Sequence, residues 1–75
     1  MTLHIIVSPD TSPDGEPGFF SICPELDIAS QGDTVEEARR NAVEAVSFFL
    51  EDADPQELAR RLAAGAQVTE LELAA

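Results

Sequence analysis

The chain has 75 residues, 44% of them hydrophobic, and carries 15 acidic residues against 4 basic ones for a formal net charge of −11. This length predicts a single domain over residues 1–75, with a thin core that buries only about 60% of what the unfolded chain exposes. The charge opposes direct binding to nucleic acid or to an anionic membrane; it either attracts a basic partner or serves solubility alone.

Residues 3–7, "LHIIV", read as a first strand, with Leu3, Ile5 and Val7 on one face and His4 and Ile6 on the other. Residues 8–18, "SPDTSPDGEPG", are rich in proline, glycine and acid and predict a long loop. Asp10, Asp14 and Glu16 lie within it, but their spacing is not that of an EF-hand.

Residues 19–23, "FFSIC", form the second predicted strand, with Phe20 and Ile22 on one face and Phe19, Ser21 and Cys23 on the other. Cys23, the single cysteine, cannot close an internal disulfide. It reads as a small buried hydrophobe and fits a reducing, cytoplasmic setting. Pro24-Glu25 ends the strand, and residues 26–31, "LDIASQ", form a third, antiparallel to the second.

A helix follows. Thr34 is its N-cap and Glu37 completes a capping box. Val35, Ala38, Ala42, Ala45, Val46 and Phe49 make one apolar stripe. The alanines predict a close approach to the sheet, on the face with the larger side chains. Glu36 is spaced to pair with Arg40. Phe48 projects away from the stripe. It is either a lone surface aromatic or a contact for a subunit or partner, and it is the one candidate interface residue.

Asp54 and Pro55 begin a second, shorter helix that Gly65 ends. Residues 67–73, "QVTELEL", alternate as a fourth strand, with Thr69, Leu71 and Leu73 opposite Val68, Glu70 and Glu72. The expected fold is therefore an α+β two-layer sandwich in the order β-β-β-α-(short α)-β.

Little in this chain points to catalysis. His4 has no serine or cysteine tied to it by spacing, and no HExxH, Walker or CxxC motif occurs. No catalytic residue, metal or cofactor is expected. The arginines, Arg39-Arg40 and Arg60-Arg61, sit within acidic helices and suggest ion pairs in preference to a nucleic-acid face. No apolar run approaches the roughly 18 residues of a membrane span, and "MTLHIIVSPD" lacks the basic start of a secretion signal.

The stretch "CPELDIASQGDTVEEARRNAVEAVSFFLE" resembles the core of HicB-like antitoxins. The resemblance rests on Pro24-Glu25-Leu26, on Ser30-Gln31-Gly32-Asp33-Thr34, and on the Glu37-Ala38 and Glu44-Ala45 pairs. It implies a degraded ribonuclease H-like fold without nuclease activity. It also implies binding and neutralisation of a small basic HicA-type ribonuclease toxin, and assembly as a homodimer or tetramer. The DNA-binding domain of longer members has no counterpart here. The alternative is a homo-oligomeric structural or regulatory module with no toxin partner.

Overall fold

The computed structural model describes residues 1–11 and 14–74. Ser12 and Pro13, within the expected loop, lie outside the described residues. Among the described residues five elements follow one another: β1 (Ile6–Thr11), β2 (Pro17–Cys23), β3 (Ile28–Gly32), α1 (Val35–Asp52) and α2 (Pro55–Ala64). The strands form an antiparallel sheet in the order β1-β2-β3, backed by α1, so the α+β class holds.

The pairing register places Ile6 opposite Ile22, Ser8 opposite Phe20, and Pro9 opposite Phe19. On the other side of β2, Ser21 faces Ser30 and Cys23 faces Ile28. β1 thus begins and ends later than residues 3–7. Pro9 does not stop it, because β1 is an edge strand and proline is tolerated there. Leu3 and Ile5 do not pair; they pack against the core formed by Cys23, Leu26 and Val46. β2 likewise starts earlier than Phe19, and the expected loop is correspondingly shorter.

β3 starts at Ile28 rather than at Leu26. Residues 24–27 form the turn between β2 and β3, closed by a Leu26 N–H to Cys23 carbonyl bond of 3.3 Å. Asp27 takes a left-handed φ of 54°, which a short polar side chain tolerates. Leu26 is thereby turned inward and fully buried.

α1 begins where its capping residues predict. The Thr34 hydroxyl accepts from the Glu37 N–H at 3.1 Å, and the Glu37 carboxylate accepts from the Asp33 N–H at 3.4 Å. Ala38, Ala42 and Val46 are buried; Val35, expected in the stripe, is exposed at the first helical position. Glu36 pairs with Arg39 one turn on, rather than with Arg40.

The sheet face beneath α1 is the reverse of the expected one. Ser21 and Cys23 are buried there, while Phe20 and Ile22 lie on the uncovered face. The small side chains of Ala38 and Ala42 let the α1 backbone approach this face closely, and Phe19 and Ile28 share it with Ser21 and Cys23. A Cβ added to Gly32 would lie 2.5 Å from the Ala38 nitrogen. The open face carries Ile6, Ser8, Phe20, Ile22, Ala29 and Gln31, with Ile6 and Phe20 both exposed.

α2 is capped as expected, with the Asp54 carboxylate accepting from the Glu57 N–H at 2.7 Å. Gly65 serves a purpose other than a left-handed stop, since its φ is −74°. It is a point of close approach, where a Cβ would meet the Glu25 carbonyl oxygen at 1.9 Å. Beyond Ala66, whose N–H donates to the Pro24 carbonyl at 2.9 Å, residues 67–73 do not form the expected fourth strand with any described strand. Their apolar side chains, Val68, Leu71 and Leu73, are exposed.

Candidate functional site

Among the described residues, chemistry gathers in two depressions and a polar cluster. The first depression is a groove of about 330 Å³ between α1 and α2, lined by Ile28, Ala45, Phe48, Phe49, Asp52 and Arg61 among others. Phe48 is 71% exposed on its rim, while its neighbour Phe49 packs against the core. Arg61 lines the groove as well: its guanidinium lies 5.1 Å from the Phe49 ring centroid and donates to the Leu26 carbonyl at 3.1 Å. Asp52 and Glu57 add acidic groups to the lining. α1 ends here with no basic residue in its last turn, so the negative end of its dipole is left without a cation of its own. The result is an apolar patch whose lining carries two carboxylates and one guanidinium.

The second depression, about 640 Å³, lies at the other end of the sheet, beside the start of α1. Asp10, Glu16, Asp33 and Glu37 bring four carboxylates to its lining. Asp10 and Glu16 come from the segment read as a loop, and the fold places them near the helix cap. The Glu16 N–H donates to the Asp14 carboxylate at 3.4 Å. Among the described residues, no group of three or more His, Cys, Asp or Glu side chains is placed to hold a metal ion.

The polar cluster joins residues that the sequence left apart. Glu25 accepts the His4 backbone N–H at 3.0 Å, contacts the His4 Nδ1, and lies 3.6 Å from the Cys23 sulfur. A histidine, a carboxylate and a thiol are the ingredients of a nucleophilic site, but their order here defeats that use. Cys23 is fully buried, and burial first, with the nearby Glu25 carboxylate, pushes its thiol above the ordinary value. A nucleophilic cysteine needs the opposite shift. The imidazole contacts Glu25 rather than the sulfur. For Glu25, burial pushes the pKa up, but the hydrogen bonds from the His4 ring and backbone outweigh it and hold the carboxyl at about 2. The cluster therefore ties residues 3–5 to the β2–β3 turn. Glu25 was legible only as part of a turn, because its partner lies 21 residues away.

Among the described residues, no helix is long and apolar enough to cross a membrane. Neither a protein-family model, nor a curated protein, nor a solved structure matches the chain.

Proposed function

We propose that this protein is a HicB-like antitoxin module that binds and neutralises a small basic ribonuclease of the HicA type, with no catalysis of its own. The observation that carries the reading is Phe48, exposed over a groove with acidic lining, on a chain of net charge −11. An aromatic anchor within a charged rim is a common arrangement for a protein contact. The excess negative charge would steer a basic partner and speed encounter. Support for this choice of partner comes from the Pro24-Glu25-Leu26 and Ser30 to Thr34 motifs and the helix that follows them. In the same reading the fold is a degraded ribonuclease H-like one, completed when residues 67–73 pair as a fourth strand.

The test is co-expression with a small basic protein encoded beside this one. The expected result is that the two co-purify, that growth inhibition by the basic protein is relieved, and that Phe48→Ser weakens both effects. A basic neighbour that is toxic yet neither captured nor relieved overturns the proposal.

One further observation favours a second reading, a homo-oligomeric structural or regulatory module without a toxin partner. The sheet face opposite α1 is open and apolar around Ile6, Phe20 and Ile22, and a domain this small gains burial by self-association.

A further inference from the structure

Residues 67–73 belong to no strand or sheet of this chain. Their alternation is that of a strand, yet in this chain they leave the body after Ala66 and remain exposed, with Leu71 and Leu73 each 79% accessible. The radius of gyration is 14.3 Å, against about 11 Å for a compact chain of this length. Such extension is consistent with an arm that leaves the body after Ala66.

The same chain offers an edge that could receive such an arm. β1 is bonded to β2 alone, so its outer backbone groups are unpaired by any described strand. The opposite edge is less open. α1 packs most closely on β3, and the Asn41 side chain donates to the Gln31 carbonyl at 2.8 Å. Lengths agree as well: seven extended residues span about 23 Å, and the six of β1 about 20 Å.

We propose that residues 67–73 of one copy pair with the β1 edge of a second copy, and reciprocally, giving a strand-exchanged homodimer with two four-stranded sheets. Main-chain hydrogen bonds supply the attraction, as in other strand additions to a sheet edge. Side-chain alternation sets the face. Leu71 and Leu73 fall on the face of Val7, the one α1 covers, beside the strand that α1 covers least, and Glu70 and Glu72 stay in water. The receiving stretch Ile6, Val7 and Ser8 carries no charge, so two chains of net charge −11 meet there without opposing like charges. Pro9, which lacks an N–H, limits pairing at the far end of β1. This inference gives the self-association reading a geometry, and its test involves no toxin.

Light scattering on the purified chain at physiological salt should give twice the 8.0 kDa chain mass. The double variant Leu71→Asp/Leu73→Asp should be monomeric with an unchanged far-UV circular dichroism spectrum, because neither leucine packs on the core of its own chain. A short bismaleimide should join Ser8→Cys chains to Glu70→Cys chains only when the two are mixed; Cys23 is buried and does not compete. A monomeric wild type overturns the proposal, as does a cross-link formed within one chain that carries both cysteines. A double variant that stays dimeric overturns strand exchange while leaving self-association through the open sheet face.

Discussion

Replacing Gly32 with alanine tests whether the α1 backbone is seated directly on the sheet. The added Cβ would lie 2.5 Å from the Ala38 nitrogen, 2.9 Å from the Glu37 carbonyl carbon and 3.0 Å from the Ala38 Cα. Ordinary contacts between such atoms begin near 3.5 Å, so the first turn of α1 must move outward by about 1 Å. All three obstacles are backbone, and no side-chain rotation relieves them. Overpacking of this kind costs about 1–3 kcal/mol, and displacing the helix start also strains the Thr34 cap, worth about 1 kcal/mol. We expect a loss of about 2–3 kcal/mol, against a total of about 4–11 kcal/mol for a domain of this length. The assay is urea unfolding followed by far-UV circular dichroism. Ala38→Gly sharpens it. That change removes a side chain but leaves the obstructing nitrogen in place, so it should not rescue Gly32→Ala. A Gly32→Ala protein within about 0.5 kcal/mol of wild type, or one restored by Ala38→Gly, would refute the close-approach argument.

Two further substitutions probe polar groups that the fold encloses. The Ser21 hydroxyl is buried without a hydrogen-bond partner among the described residues. Ser21→Ala should therefore stabilise the protein by about 1 kcal/mol, raising the urea midpoint with the slope unchanged; a lowered midpoint would show that the hydroxyl is satisfied in solution. Glu25 is held at about 2, below its ordinary 4.5. Because the folded value is the lower one, its stabilising contribution is present above about pH 4.5 and is lost as pH falls towards 2. The His4 side chain is 44% exposed, and water screens the pair to about 1 kcal/mol. Glu25→Gln should accordingly destabilise by about that amount at pH 7 and by much less near pH 2; an equal loss at both would assign the effect to packing.

The capped helices were the most legible part of the fold, because their signals are local. Thr34 with Glu37, and Asp54 with Pro55, each act within one turn, and both helices start where those residues stand. Strand boundaries were less legible because they depend on partners. Pro9 reads as a stop until β1 is known to be an edge, and Leu26 reads as strand until the left-handed Asp27 turns it into the core. The choice of covered face failed for a related reason. Hydrophobicity alone favours burying Phe20 and Ile22, but the distance at which α1 can sit is set by Ala38, Ala42 and Gly32. That closeness suits the small Ser21 and Cys23, while the larger Phe19 and Ile28 of the same face are only partly buried. Of the candidate sites, Phe48 stood out by its position on the helix, whereas the Glu25 cluster and the acidic cleft join residues that only the tertiary fold brings together.

The seating of α1 also decides how the two proposed contacts relate. The Phe48 groove lies between the helices and reaches β3 at Ile28. The edge open to residues 67–73 belongs to β1, on the far side of β2. A partner in the groove and a second copy on the β1 edge therefore occupy opposite margins of the sheet. Strand exchange would leave each groove free, and the dimer would present two of them. Each groove would also sit in the field of two acidic chains, so a basic partner would be drawn more strongly to the dimer than to one copy. The two proposed contacts would thus be compatible in one small fold: one would draw on backbone groups at the β1 edge, the other on the exposed Phe48 side chain.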